Sequence, residues 1–426
     1  MKKLFITLVI VLLAGSVVRA QDENERVYLY PVLKPQENNR RIEPKPRVEG
    51  WATQRVEEKI NRGLIALRND RGEMYLSWRL LKGDPAGVAF NVYRSANNGK
   101  SFSKANGKPL TATTDFIDKG AGKGAYTYRI CPVIGGKEGE PSEKVTPIAD
   151  GLNYRSIKFQ GDYVIQKVAL ADLNGDGNYD FVIKQPGQAT DPGVWRRSPD
   201  TFKIEAYLHD GTFLWRKDLG WNIEQGVWYS PFVAWDFDGD GRAEIAVKTA
   251  SQNRDYRDPQ GRVVGTPPFW YAGEFPQASF TDPCPEFCSI LDGMTGEVLD
   301  SVPWPPQSQR VGDYVRANRN QMGVAYLDGK TPALLLNRGT YRAMLLDAYE
   351  FHDRKLRKLW SWDGDEENPI IRSQGAHQML SVDLDGDGRD EIVMGSVTVD
   401  DNGTALWSTG FGHPDKAIVG KVSPDR

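Results

Sequence analysis

An all-β protein, a β-sandwich followed by a β-propeller, is the fold class that three features of the sequence predict. Between Trp51 and about Asp150, apolar and polar residues alternate in short runs broken by turns, with no amphipathic helical period of useful length. After Asp150 one short acidic loop recurs three times, each copy running straight into a short apolar, β-branched segment. Ribbons of a second kind, strand, tight turn and strand, follow the loops, so the repeating unit holds four strands.

The chain opens with Met1-Lys-Lys3, an apolar run from Leu4 to Gly15, and Val18-Arg-Ala20. A basic start, hydrophobic centre and small-residue end mark residues 1–20 as a secretory signal cut after Ala20, with 21–50 as a linker. No cysteine stands at that boundary to take a lipid, and no later run approaches the roughly 20 apolar residues that span a bilayer. A secreted or periplasmic monomer is expected. Removing Lys2, Lys3 and Arg19 takes the formal net charge from −3 to −6, and nothing in that balance suggests nucleic acid as a partner. The three cysteines make no disulfide scaffold. Cys131, in a strand-like run, reads as a small buried hydrophobe. Cys284 and Cys288 either bridge a tight loop in an oxidising compartment or stay free thiols, and the lack of a neighbouring His argues against zinc.

Residues 51–150 form the expected sandwich. Met74–Leu81, Val88–Arg94 and Tyr126–Val133 alternate as half-buried antiparallel strands do, with Gly-Asp-Pro, Asn-Asn-Gly and Ile-Gly-Gly turns between them. Through its Leu-Ser-Trp, Asn-Val-Tyr-Arg and Tyr-Thr-Tyr-Arg strands this stretch resembles a fibronectin type III domain. The resemblance makes Trp78 a core residue and assigns the stretch no chemistry.

Residues 151–426 carry the repeat. Its loops place oxygen side chains at positions one, three and five: Asp172, Asn174 and Asp176, then Asp236, Asp238 and Asp240, then Asp383, Asp385 and Asp387. Position nine adds Asp180, Glu244 and Glu391, and the seventh residues Asn178, Arg242 and Arg389 complete the candidate set. Oxygens at that spacing, with glycines for the tight turn, make a cage for Ca2+. Position twelve is Ile183, Val247 and Met394, so these are not EF-hands, and a structural staple is the expected role. The ribbons Ile204–Trp215, Ser289–Leu299 and Leu346–Trp360 complete the sheets, with Trp215 and Trp360 recurring as core. The loops start 64 and then 147 residues apart, so one sheet between them lacks the cage; Gln321–Leu336, with Asp328-Gly329 as its turn, fits it. Four blades and the start of a fifth at Lys416–Arg426 result. A propeller closes as a ring, so the expectation is a chain incomplete at its C-terminus, with closure by dimerisation as the alternative.

Trp235-Asp-Phe-Asp-Gly-Asp-Gly-Arg-Ala-Glu-Ile-Ala-Val-Lys-Thr249, Ala325–Gly329, Asn337–Arg342, Gln374–His377 and Ser408–His413 together resemble the bacterial rhamnogalacturonan lyases of polysaccharide lyase family 11, over about residues 50 to 426. That resemblance implies a propeller of about eight blades with bound calcium behind a small β-domain. It also implies β-elimination at galacturonic acid in the rhamnogalacturonan I backbone of pectin, with that polysaccharide as partner. Members usually continue beyond the position of Arg426, and Lys184–Thr190 departs from an Asp-Pro-Ser-Asn type of loop found in many.

Elimination needs the C5 proton removed beside a carboxylate whose charge is neutralised by a cation or arginine. Arg338 and Arg342 are read as carboxylate clamps and Tyr341 as a stacking or proton-transfer group; inter-blade salt bridges with a buried tyrosine are the alternative. His377 is an acid or base candidate and His413 a substrate contact, each against a structural role, while His209 and His352 read as solvated. Lys184 and Lys248, equivalent after two cage strands, are either pocket cations or parts of the repeat. Two other functions compete: a non-catalytic, calcium-dependent glycan-binding or adhesion propeller, and a glycoside hydrolase, which would need two carboxylates flanking a cleft.

Overall fold

The computed structural model describes residues 55–148, 152–187, 200–220, 223, 226–251, 285–312 and 314–420. The expected leader, the linker 21–50 and Cys284 lie outside the described residues. The first seven strands are β1 (Ile65–Arg68), β2 (Met74–Ser77), β3 (Ala89–Ser95), β4 (Ser103–Lys104), β5 (Asp115–Asp118), β6 (Thr127–Ile134) and β7 (Lys137–Glu138). They form two antiparallel sheets, ordered β1-β2-β5 and β4-β3-β6-β7. Alternation along β2 buries Met74 and Leu76, which join Phe90, Val92, Tyr128 and Ile130 in one core between the sheets. The strand expected over Met74–Leu81 stops at Ser77, and a turn closed by Leu81 N on Asp84 Oδ2 at 2.8 Å follows. Trp78 is core, its ring edge-on to Phe90 at 5.4 Å. Cys131 is buried in β6, and burial raises its thiol.

Four antiparallel four-stranded sheets follow in chain order, as the repeat predicts. They are β8 (Lys167–Ala171) to β11 (Phe213–Asp218) by way of β9 (Asp180–Gln185) and β10 (Lys203–Tyr207); then β12 (Phe232–Trp235), β13 (Glu244–Ala250), β14 (Glu286–Leu291) and β15 (Val298–Pro303). The third holds β16 (Asn320–Ala325), β17 (Ala333–Arg338), β18 (Leu345–His352) and β19 (Lys355–Asp363), the fourth β20 (Gly375–Val382), β21 (Glu391–Gly395), β22 (Val397–Val399) and β23 (Ala405–Ser408). The order in each sheet is sequential. The sheet without a cage is the third, where the Asp328-Gly329 turn joins β16 to β17, as the spacing requires. Residues 416–420, expected to begin a further strand, adopt none.

Period-two alternation explains why the middle strands are apolar on both faces. Ile245 and Val247 of β13 pack towards the first sheet, while Ala246 packs towards the third. Leu334 and Leu336 of β17 meet Ile290 and Cys288, and Leu335 faces Ile392 and Met394 of the fourth sheet. Each such buried side chain contributes roughly 1.5–3 kcal/mol. Cys288, fully buried, has its thiol pushed up by burial. The Leu-Trp ends of the ribbons reach across to the next sheet: Trp215 Nε1 donates to Gly293 O at 2.9 Å and Trp360 Nε1 to Asp401 O at 2.8 Å. A glycine lies against each of these indoles. A Cβ on Gly296 (φ +69°) would meet the Trp215 ring at 2.6 Å, and one on Gly403 (φ +74°) the Trp360 ring at 2.6 Å.

The first strands of successive sheets, β8, β12, β16 and β20, lie side by side and line an open cavity of about 440 Å³ with Ala169, Trp235, Val324 and Ser381 on its wall. One strap, residues 55–62, crosses the sheets at the end where first strands turn into second strands. Arg55 pairs with Asp390 at 2.6 and 3.1 Å, Val56 N donates to Lys330 O at 2.8 Å, and Asn61 N donates to Gly177 O at 2.7 Å. Gly239 completes the set, since a Cβ there would touch Val56 at 3.1 Å. The strap therefore touches the turn of every one of the four sheets.

Candidate functional site

Backbone amides shape the three acidic loops identically. The first carboxylate caps two glycine amides: Asp172 takes Gly175 and Gly177 at 2.8 and 2.6 Å, Asp236 takes Gly239 and Gly241 at 2.7 and 2.9 Å, and Asp383 takes Gly386 and Gly388 at 2.8 and 3.0 Å. Asn174, Asp238 and Asp385 accept from the fifth residue's amide at 3.0, 3.2 and 3.2 Å. Asp176, Asp240 and Asp387 accept from the seventh, that of Asn178, Arg242 and Arg389. The ninth acid closes the loop, with Asp180, Glu244 and Glu391 accepting from Leu173, Phe237 and Leu384 at 2.9, 3.0 and 2.6 Å.

Ligand atoms of Asp236, Asp238 and Glu244 lie within 4.8 Å of one another, as do those of Asp383, Asp385 and Glu391. Burial first, then the neighbouring aspartates, pushes the Glu244 carboxyl up to about 9 and the Glu391 carboxyl up to about 8. Glu58 of the strap is raised too, by burial and then by Asp236 and Asp172. Repelling carboxylates held together by amides are a fitting donor set for a divalent cation. The Arg242 and Arg389 side chains, expected in the donor sets, are not ligands, because a guanidinium offers no lone pair to a metal; their amides donate to Asp240 and Asp387. His209, expected to be solvated, is half-buried against the first loop, its Nδ1 3.6 Å from Asp176 and 3.7 Å from Asp180; His352 is exposed.

Residues just before each first strand, and the turns between second and third strands, gather at the opposite end. Three expected site residues meet there. Tyr341, between β17 and β18, places its hydroxyl 2.6 Å from His377 Nε2 on β20. His413, after β23, lies 4.5 Å from the Tyr341 ring and 4.8 Å from the His377 ring, centroid to centroid. Its Nδ1 meets the Gly375 carbonyl, which can only accept, so Nδ1 is the donor there. Asp415 Oδ1 lies 3.5 Å from the His413 Nε2, and His377, His413 and Asp415 offer ligand atoms within 4.8 Å of one another.

Around this trio sit residues that sequence reasoning missed. Arg316 lies over the Tyr341 ring at 4.8 Å, Arg319 over the Trp228 ring at 4.4 Å, and Trp228 is edge-on to His377 at 5.6 Å. Their signal is positional, since Trp228, Arg316 and Arg319 lie within four residues of the start of a first strand and so share an end with the Tyr341 turn. Asp415 stands two residues beyond His413.

Arg338 is placed otherwise than a carboxylate clamp requires. It is fully buried, donating to Pro305 O at 2.6 Å, to Ala317 O at 2.8 Å and to Glu286 of the preceding sheet. Glu286 also pairs with Lys248, which is 1% exposed and lies 5.7 Å from the Trp304 ring centroid. Burial works against the Glu286 charge, but Arg338 and Lys248 outweigh it and hold the carboxyl below its ordinary value. Lys184 is likewise buried, donating to Ser230 O in the lead-in to β12 and lying 4.0 Å from the Phe202 ring centroid. Burial, then Lys167 and Lys248, pushes its ammonium well below the lysine range. Lys184 and Arg338 join neighbouring sheets, and Lys248 shares Glu286 with Arg338. Arg342 is exposed beside Tyr341 and keeps only its position as a candidate.

The fold and its two ends define an all-β repeat protein, with cation-loop chemistry at one end of its strands and a histidine, tyrosine and arginine cluster at the other. The chain belongs to rhamnogalacturonan lyase family 11: residues 145–426 match the family's C-terminal domain, and residues 55–148 match the β-sheet domain of rhamnogalacturonan I lyases. It is 36% identical to the rhamnogalacturonan endolyase YesW of Bacillus subtilis over 89% of its length and 33% identical to the exolyase YesX of the same organism over 87%. It spans 61% of the length of each. Among solved structures, a Bacillus licheniformis rhamnogalacturonan lyase of PL11 superposes with a TM-score of 0.75 at 36% identity, covering 88% of this chain and 65% of that one.

Proposed function

We propose that the chain is a polysaccharide lyase that cleaves the rhamnogalacturonan I backbone of pectin by β-elimination at galacturonic acid. The observation that carries this is the assembly of Tyr341, His377, His413 and Asp415, with Arg316 and Arg319 over the adjoining rings, at the strand ends opposite the acidic loops. Relatives named as endolyase and exolyase support the substrate class.

His377, His413 and Asp415 would hold a divalent cation, and such an ion, when bound, neutralises the uronate carboxylate and so stabilises the charge that develops at C5. Arg316 and Arg319 supply a second positive field for the same carboxylate. Tyr341 and Trp228 offer flat faces for sugar rings. The Tyr341 hydroxyl, bonded to His377, is the proton carrier nearest this field, able to move a proton to or from the imidazole. Arg342 lines the approach. Arg338 and Lys184 act on the site by holding adjacent sheets in register, and Lys248 by sharing Glu286 with Arg338.

The four sheets are four blades of a β-propeller, supported by their sequential order, adjoining first strands and shared inter-sheet cores. The sandwich of residues 51–150 is of fibronectin type III kind. The cation of the three loops is Ca2+, supported by all-oxygen donor sets. The protein is exported, to act on polymer outside the cytoplasm.

The test is ultraviolet absorbance of the conjugated uronate when folded protein meets rhamnogalacturonan I, with calcium or with chelator. Absorbance that rises only with calcium is the expected result. Polysaccharide binding without absorbance would overturn the lyase assignment in favour of a glycan-binding propeller.

A further inference from the structure

We propose that Ser373 and Gln374 are positioning residues, which clasp the turn bearing Tyr341 and the loop bearing His413 to the strand bearing His377. The proposal rests on reading those three residues as the working cluster of the lyase. Ser373 and Gln374 immediately precede β20, and the segment 373–377 makes the bonds that gather the cluster. Three consecutive carbonyls of the Tyr341 turn accept from it: Thr340 O from Gly375 N at 3.2 Å, Tyr341 O from Ser373 Oγ at 2.6 Å, and Arg342 O from Ser373 N at 3.1 Å. Gly375 O takes His413 Nδ1, and Asp415 O accepts from His377 N at 3.2 Å. Ser373 does this at φ +66°, a left-handed backbone that is costly for a residue with a side chain and recurs at functional sites.

The His413 loop needs such a clasp because packing does not supply one. Phe411 is 93% exposed, and a Cβ added at Gly410 or Gly412 would meet nothing within 4 Å. Both glycines have positive φ, +69° and +88°, so no side chain stiffens the backbone there. Two of the loop's bonds are internal, Gly410 N to Ser408 Oγ at 3.2 Å and Phe411 N to Thr409 Oγ1 at 3.3 Å. Two reach outside it. Thr409 N donates to Ser396 O at 2.9 Å, and Gly412 N, next to His413, donates to Gln374 Oε1 at 3.0 Å. The buried Gln374 amide can sit only one way round: Oε1 faces an N–H, which cannot accept, and Nε2 faces the Arg372 carbonyl at 3.3 Å, which cannot donate. Ser396 N donates to Gln374 O at 2.8 Å, so the residue's main chain is tied down as well. Losing the Oε1 acceptor would free the loop at the residue before His413 and loosen that ring against Tyr341 and His377, while the sheet beneath stays paired.

Amide hydrogen exchange of the unaltered protein, read residue by residue by NMR, tests the clasp without a variant. Gly412 N–H is expected to exchange about 100-fold or more slowly than a free loop amide, and exchange at the free rate overturns the proposal. Gln374→Met keeps the volume and loses the acceptor, whereas Gln374→Glu keeps an oxygen for Gly412 N. With rhamnogalacturonan I and unsaturated product as readout, the Met variant is expected to lose about 10- to 100-fold in kcat with KM within about two-fold of the parent, and the Glu variant to recover most of that loss. Ser373→Ala, which removes the donor to Tyr341 O, is expected to lose kcat in the same way. Equal losses in the Met and Glu variants, a loss confined to KM, or parental kcat in Gln374→Met or Ser373→Ala overturns the proposal. If the parent itself yields no product, the lyase reading falls, and the Gly412 exchange rate still decides the clasp.

Discussion

Replacing Arg338 by methionine separates the two roles sequence reasoning left open for it. The guanidinium is fully buried and donates to Pro305 O, Ala317 O and Glu286. Methionine fills most of the volume but leaves two buried carbonyls without that donor and Glu286 without one of its two cations. Breaking a buried ion pair costs about 3–5 kcal/mol, and the surviving Lys248 contact holds the expectation to the lower half of that range. At roughly 2 °C per kcal/mol for a large cooperative unit, Tm should fall by about 6–8 °C. Thermal unfolding by circular dichroism in calcium-containing buffer measures the shift, alongside lyase activity well below the transition. A variant with parental Tm and abolished activity would refute the structural role and restore the clamp.

Chelation of calcium should lower Tm by well over 5 °C, as expected when ligands hold the native state alone; an unchanged melt in chelator argues against calcium staples. In chelator the pH dependence should also have a definite sign. Glu244 and Glu391 have folded-state pKa values raised to about 9 and about 8, so protonation favours the fold. Their contribution is complete below the unfolded value of about 4.3 and is lost as pH rises through 8 to 9, which differential scanning fluorimetry in EGTA would show as a Tm falling from pH 5 to pH 9. Bound calcium should abolish that fall. Tyr341→Phe and His377→Ala should each lower formation of unsaturated product about 100-fold or more while leaving Tm within about 2 °C of the parent, and retained turnover would remove those residues from the chemistry. Gly296→Ala should cost about 1–3 kcal/mol, read from the denaturant midpoint, because alanine at φ +69° is strained and its Cβ meets the Trp215 ring.

The acidic loops were legible because everything they need lies within nine residues: oxygens at alternate positions, glycines between them and an acid to close. The cage-free third sheet was legible for a similar reason, since the 147-residue gap left room for one more unit of the same frame. Arg338 was misleading because its neighbours Tyr341 and Arg342 suggest a recognition cluster, while the partner that explains it, Glu286, is 52 residues away in another sheet. Lys184 posed the same difficulty, a charged residue in an apolar strand whose acceptor, Ser230 O, comes from the next sheet, and the Lys248 partner Glu286 is 38 residues on in the neighbouring strand. Tyr341, His377 and His413 were each visible as chemistry-bearing residues. Their convergence was not, because a turn, a strand start and a loop after a strand share an end only when the strand order is known. Trp228, Arg316 and Arg319 were hidden by the same fact.

The strap of residues 55–62 bears on how the chain is made. Arg55 is synthesised 335 residues ahead of Asp390, its partner across the four sheets. Val56 and Asn61, too, find their acceptors only in loops made far later, at Lys330 and Gly177. Contacts of such sequence separation form late and slowly compared with the hairpins beneath them. Each sheet can zip up as it leaves the ribosome, whereas the strap must stay loose until the fourth sheet's turn exists. A segment translated ahead of all four sheets is fastened after them.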